Sequence, residues 1–455
     1  MPLDILRIAK TSMAAQRAAL EVISQNIANA STPCYTRQRP EMVAIAASRI
    51  FSPTRSGQGV ELKSVQRLWD ARLLATIDYN KGLYKNSAAL AYRLEEIEGF
   101  VGSLEQGLHT LTSEMFNAWS DLGVDGANMG ARRAVVGAAQ ALADGLRQIV
   151  SRLRQMQAEQ NARLANGVAE VNALLARVAE LNGQVQGNKG TVGGNTAATQ
   201  RDQALQRLAE LAGAVGVERD DGTVSVLIGG LEVVRGATVL PLRLVPDPAD
   251  PNVDHIEVCG FQDPEGLTGE LRAIMQIRDE YIPHYLARLD TFARTLADAV
   301  NSQHQAGYDF NGDPGIEFFE YDPDWPAGTI RVNEALVNDA RLVAASSISQ
   351  PSSDGENAFH IASIRYQELF GDLTAEQYIA DVVAEIGGDV AAAHEAAKTR
   401  QNLVDALEAR YQERYGVSVD EEAVELMKYQ KAFIASARIA RVVNEMMDDL
   451  LSIPT

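Results

Sequence analysis

Apolar residues recur every seven positions at both ends of the chain. Leu6, Met13, Leu20 and Ile27 mark the start, and Leu426, Phe433, Ala440 and Met447 the finish. Ala9 and Ile23 lie three places after two of the first set, and Tyr429, Val443 and Leu450 follow the second set in the same way. Such a heptad rhythm gathers its apolar residues on one helical stripe. The pattern predicts two terminal heptad helices that pair with each other as a coiled coil. Ser418 followed by Glu421 has capping-box spacing, and Asp420, Glu421 and Glu422 suit the positive end of a helix dipole, so the last helix is expected to begin there.

Between the ends the rhythm persists with one interruption. Leu142, Leu146, Ile149, Leu153 and Met156 step by four and three, and after an eight-residue offset Leu164, Val168, Val171, Leu175 and Val178 do so again. This is a long bundle helix with one phase slip. Helices are also expected from Trp69 to Ile97 and from Leu271 to Val300, the latter kinked at Pro283. From Asp220 the texture changes to short β-branched runs separated by Gly and Asp turns. The fold class is therefore mainly α with a small β part: paired terminal helices, and a long-helix bundle with an inserted β unit. The expected organisation is a terminal assembly region, 1–66 with 414–455, and a mainly helical body, 67–413. The β unit falls at about 214–262, with a reduced surface subdomain at about 314–343.

Composition narrows this further. Of the 455 residues 46% are hydrophobic but only 6% aromatic, which fits aliphatic, helix-rich packing. A formal charge of -20 would repel a phosphate backbone, so nucleic acid is not an expected partner. Cys34 and Cys259 are the only cysteines, too few for a disulfide framework. Asp4, Arg7 and Lys10 interrupt any signal-peptide core, and no apolar run reaches membrane-spanning length, so neither a cleaved signal nor membrane insertion is expected.

Candidate chemistry is sparse. In DFNGDPGIEFFE, Asp309, Asn311, Asp313 and Glu320 have the spacing of a calcium loop. Pro314, however, occupies the slot that needs a flexible glycine, so a plain turn is the better reading. His394 and Glu395 open a zinc-protease-like pattern, but Lys398 stands where its second imidazole belongs. The glycines of GNKGTVGGN, residues 187 to 195, lie between helical segments and read as a flexible loop. The acidic pairs Glu95/Glu96 and Asp448/Asp449 read as solvated helix faces. No catalytic residue, metal ligand or cofactor is assigned, and enzyme is the weaker class. The terminal stripes could be an ordinary core, but chain ends have few covalent neighbours to bury against, which favours assembly helices.

The stretch SQNIANASTPCYTRQRPE, residues 24 to 41, closes the first helix. Asn26 and Asn29 can end it through side-chain bonds to backbone, and Pro33 turns the chain outward towards a β-like segment around Ile45 to Val65. Here the sequence resembles the axial protein family of the bacterial flagellum. The resemblance rests on Asn26, Ile27, Ala28 and Asn29 followed by Thr32, Pro33 and Tyr35, and on Gln200, Arg201, Asp202 and Gln203 before the β unit. Gly269, Glu270 and Leu271 opening a helix, and then Asn301, His304, Gly307, Tyr308, Asp309, Gly312 and Gly315, continue it. The ending VSVDEEAVELMKYQKAFIASARIARVVNEMMDDLL looks like the family's C-terminal helix along its whole length. Cys34 departs from the pattern, which usually has Gly before the Tyr. Because cysteine bears a steric cost at positive φ that glycine does not, a negative φ is expected there.

The resemblance implies a non-enzymatic building block on the hook-filament junction branch of the family, exported through the flagellar type III apparatus and located outside the cell. Implied partners are further copies of itself in a helical assembly, the hook protein, the second hook-filament junction protein, and an export chaperone at the C-terminal helix. The hook protein or the second junction protein is the alternative identity, and a metal-dependent enzyme using the Asp309 to Glu320 loop a more distant one.

Overall fold

The computed structural model describes residues 2–45, 58–248, 253–350 and 353–451; the side chains of residues 2, 100, 102–106, 450 and 451 fall outside the description. Leu450 is therefore placed only by its backbone, and residues 46–57 of the β-like segment are not described.

Helix α1 (Pro2–Ala28) leads into an antiparallel hairpin of β1 (Gln38–Ala44) and β2 (Val60–Arg67), whose register shifts between Glu41 and Met42. Three long helices then run along one another: α2 (Ala71–Val124), α3 (Met129–Gly187) and, much later in the chain, α10 (Ala375–Tyr415). The carboxylate of Asp70 caps α2 by accepting from the backbone N–H groups of Arg72 and Leu73. Helix α2 continues past Ile97, the end expected from the sequence, to Val124. Lys81 pairs with Glu408 at one end of the α2/α10 contact and Ser113 bonds Glu376 at the other, so the two helices are antiparallel.

The eight-residue offset in α3 has a structural cause. Leu142, Leu146, Ile149, Leu153 and Met156 belong to one hydrophobic core, which they share with α2, α10 and the helix α6 (Ile282–Ala306). Leu164, Val168, Val171, Leu175 and Val178 belong to a second, shared with α4 (Val192–Ala212) and the β unit. The stripe slips where one helix passes from one core to the next. Gly167 lies just past that point, and a Cβ there would meet Leu271 at 2.5 Å.

The β unit has two antiparallel sheets: β3 (Val215–Glu218), β4 (Val224–Ile228), β5 (Leu231–Arg235) and β6 (Thr238–Val239) in one, β7 (Arg243–Pro246), β8 (Asp254–Val258) and β9 (Phe261–Gln262) in the other. Their alternate residues Val224, Val226, Val234, Ile256 and Val258 fill the second core. Buried Asn182 of α3 clamps the first sheet, accepting from Val224 N–H and donating to the carbonyls of Val224 and Gly236.

The stretch read as one kinked helix is α5 (Gly269–Gln276) and α6 (Ile282–Ala306) joined by a π-helical turn, Ile277–Tyr281. Pro283 cannot donate a helical hydrogen bond, and the widened turn, closed by Ile282 N–H to Ile277 O, absorbs the mismatch just before it. Beyond α6 lie β10 (Phe319–Glu320), α7 (Pro326–Thr329), β11 (Arg331–Val332), α8 (Glu334–Asn338) and α9 (Glu356–Ser363). In this region Phe318, Phe319, Ile330, Val332 and Leu336 are buried in the first core, together with α2, α3 and α6.

Candidate assembly site

The first helix returns to meet the last. Helix α11 (Val419–Leu451) packs antiparallel on α1: Ser12 bonds Ser436 at 3.1 Å, and Asn26 bonds Glu422 at 2.8 Å. Gln16 completes a polar layer with Ser12 and Ser436, the kind of layer that fixes register between paired helices.

On α1 the buried apolar residues are Ala9, Ala15, Ala19, Val22 and Ile23, while Leu6, Met13, Leu20 and Ile27 are half-buried. These buried residues are covered by α11 together with β1 and β2, while the larger heptad residues keep part of their surface exposed. On α11, Val443 is buried, and Leu426, Tyr429, Phe433, Ala440 and Met447 are half-buried. Sequence reasoning missed a second apolar row on α11. Val424, Met427, Ile434, Ile439, Val442 and Met446 are each about half exposed. The alternation of apolar residues outside the heptad positions was the signal available for it.

A polar neck joins this hairpin to the body. Asn26 is fully buried, and its amide makes four hydrogen bonds. Oδ1 accepts from Tyr35 OH and from the backbone N–H of Gln38, both at 3.0 Å; Nδ2 donates to the Gln38 carbonyl and to Glu422, both at 2.8 Å. It therefore ties α1 to β1 and α11 rather than closing its own helix, a task left to Asn29, whose Nδ2 donates to the Gln25 carbonyl. Arg37 pairs with both Glu421 and Glu422, so the Glu421 side chain does not complete a reciprocal capping box. Ser418 still accepts from Glu421 N–H, at 3.4 Å. Burial, opposed by the bond from Gln38, pushes the Tyr35 phenol up to about 12. Asn195 of α4 continues the network by donating to Gln38 and to the Val65 carbonyl, and Arg67 pairs with Asp202 at 2.5 Å.

Cys34 has φ 60°, which overturns the expected negative value. Tyr35 N–H closes a four-residue turn onto the Thr32 carbonyl at 3.2 Å, with Pro33 second and Cys34 third, the slot that a type II turn holds left-handed. The neighbouring helix secures the strained residue: the Cys34 thiol donates to Gln206 Oε1 at 2.9 Å, and Gln203 donates to the Pro33 carbonyl.

The remaining motif residues lie away from the hairpin and hold turns in place. Arg201 is buried and donates to Asn182 and to the Gly222 carbonyl. Asn301 accepts from the backbone N–H groups of Phe318 and Phe319 and donates to the Phe319 carbonyl. His304 is fully buried. Its Nδ1 meets the Ile316 carbonyl at 2.6 Å and its Nε2 the Ala344 N–H at 2.8 Å, which requires the neutral ring with the proton on Nδ1. Burial depresses its pKa to about 4. At Gly307 a Cβ would sit 2.0 Å from the Asn357 amide. Asp309 spends its carboxylate on the N–H groups of Asn311 and Asp313, with Gly312 at φ 84°, so the calcium-like stretch is a side-chain-capped turn. Among the described residues no three His, Cys, Asp or Glu side chains are grouped to hold a metal ion, and no helix is long and apolar enough to cross a membrane.

Comparison with known proteins places these features together. Residues 94–319 match the model of the flagellar hook-associated protein FlgK helical domain. Residues 408–453 match that of the flagellar basal body rod FlgEFG protein C-terminal region, and residues 6–36 that of the flagella basal body rod protein. Flagellar hook-associated protein 1 of Salmonella typhimurium is 24% identical over 554 aligned positions, covering 99% of this chain and 100% of the relative. Its Bacillus subtilis counterpart is 26% identical over 98% of this chain and 97% of its own length. The structure of the flagellar hook junction protein FlgK from Burkholderia pseudomallei superposes with a TM-score of 0.67 at 15% identity, over 74% of this chain and 99% of that one, and shares the fold. With relatives matched over nearly their whole length and family models at both ends and in the body, the chain resembles flagellar hook-associated protein 1 from end to end.

Proposed function

We propose that this chain is a structural subunit of the hook-filament junction that joins its neighbours through the α1/α11 hairpin, and that it does so without catalysis. The observation that carries this reading is the exposed apolar row on α11, from Val424 to Met446, on a helix whose opposite side already packs against α1. A helix that is apolar on two sides has a second surface to cover. Adjacent subunits of a helical assembly supply that cover, with the hook protein and the second hook-filament junction protein as neighbours at its two boundaries. Before assembly an export chaperone covers the same helix, and the subunit reaches the outside of the cell through the flagellar export apparatus without a cleaved signal. The rigid neck around Asn26 then passes load from the hairpin to the body.

The test is a double substitution, Met427→Glu with Ile434→Glu, introduced into the full chain. The isolated protein is expected to keep its helical circular dichroism and its thermal transition. Cells carrying it are expected to build hooks, shed filament subunits into the medium and fail to swim. Normal filaments on these cells would overturn the proposed interface.

A further inference from the structure

Beside the neck lies a cavity of about 300 Å³, enclosed by the Thr32–Tyr35 turn, the first turns of α2, α4, strand β3 and the end of α10. That volume is at the lower end of the range of small-molecule pockets, roughly 300–1,000 Å³. Its walls are largely apolar, with Trp69, Leu74, Ile77 and Leu205 among them, and four carboxylates line it: Asp78, Asp202, Glu218 and Glu408. Two of these are already neutralised, Asp202 by Arg67 and Glu408 by Lys81, each at 2.5 Å. Among the described residues Asp78 and Glu218 form no ion pair. Asp78 is surrounded by protein on nearly all sides yet keeps accessible surface, as a carboxylate facing a cavity does. Burial pushes it up to about 7, with Lys81 opposing and Asp202, Glu210 and Glu408 adding to the rise. Tyr411 also lines the wall, with its hydroxyl buried beside the Thr36 side chain.

We propose that this neck cavity binds a small organic cation, an ammonium group on an apolar body, with Asp78 as the anion that receives the ammonium. The choice follows from charge complementarity. An anion would meet uncompensated carboxylates, and a neutral apolar molecule would cover the half-buried Asp78 carboxylate without giving it a partner, the costlier state.

Isothermal titration of the full chain with 4-phenylbutylamine at pH 8 tests this, with 4-phenylbutanol and 4-phenylbutyrate as matched neutral and anionic probes. One saturable site for the amine is expected, with the alcohol at least tenfold weaker and the carboxylate silent. Asp78→Asn is expected to weaken the amine at least tenfold, and Ala75→Phe, which fills the cavity, to abolish binding. Equal binding of amine and alcohol, unchanged binding by a folded Asp78→Asn chain, or no saturable heat at all would overturn the proposal. If either variant fails to fold, Cys34 decides the matter, because its thiol also lines the cavity. In a Cys259→Ser chain, severalfold slower labelling of Cys34 by a small thiosulfonate in the presence of the amine supports the site. An unchanged rate overturns it.

Discussion

Asn26 and Glu422 are 396 residues apart in the chain and 2.8 Å apart in the fold, and the bond between them is buried. It joins the end of the first helix to the start of the last at the point where both meet the body. Asn26→Ala would leave the Gln38 N–H, the Gln38 carbonyl and the Glu422 carboxylate short of a partner in a dry site. Each orphaned group costs about 1–3 kcal/mol, so a total loss of about 3 kcal/mol or more is expected at the neck. Amide exchange by mass spectrometry is the measurement. Faster exchange is expected across α1, β1 and the first turns of α11, while the Leu142–Met156 segment of α3 keeps its protection.

His304 makes the body sensitive to acid. Its folded pKa is depressed to about 4, below an unfolded value of about 6.5. Below about 6.5 the unfolded chain therefore binds a proton that the folded chain refuses. The stability this neutral ring contributes is fully present above pH 6.5 and is lost as pH falls towards 4, by about 3 kcal/mol in all. Denaturant midpoints measured from pH 7.5 to 4.5 are expected to fall, and the slope to flatten in His304→Gln, which loses stability at neutral pH but no longer titrates.

His255 acts with the opposite sign. It lies between Asp247 and Asp263, with Nε2 2.8 Å from the former and Nδ1 bonded to the latter. Burial lowers its pKa, but hydrogen bonds and charge from both carboxylates outweigh it, and the net shift is upward. Its stabilisation is fully present below the unfolded pKa and lost as pH rises through the higher folded one. Exchange protection of β7, β8 and β9 is expected to weaken between pH 6 and 8, and His255→Asn to abolish that dependence. A hairpin whose protection rises with pH in the unaltered chain would refute the assignment.

Periodicity made much of this fold legible. The eight-residue offset of α3 encodes the passage between two cores, and the terminal heptads bring α1 and α11 together. What periodicity does not encode is which buried polar group meets which. Asn182 clamps strand β4 forty-two residues on, and Arg278 reaches Asn161 and the Asp254 carbonyl across the β unit. Neither side chain differs in sequence from a surface residue. The heptad reading also favoured the large residues of α1. In the fold Ala9, Ala15 and Ala19 are buried with Val22 and Ile23, and Leu6, Met13, Leu20 and Ile27 are only half-buried.

The turn at Cys34 offers the sharpest test of local strain. A left-handed residue other than glycine costs roughly 1–2 kcal/mol, offset here by the thiol bond to Gln206 and by contact with the cavity wall. Cys34→Gly relieves the strain but loses that bond and frees the unfolded chain, a cost of roughly 0.5–1 kcal/mol, so its thermal midpoint is expected to stay close to that of the unaltered protein. Cys34→Val keeps the strain, adds a branched Cβ that tolerates positive φ poorly and cannot donate to Gln206. It is expected to lose about 2 kcal/mol or more, with the loss confined to the neck. Calorimetry on the two variants separates the contributions. If valine were tolerated as well as glycine, the positive φ at this residue would not be a feature of the folded neck.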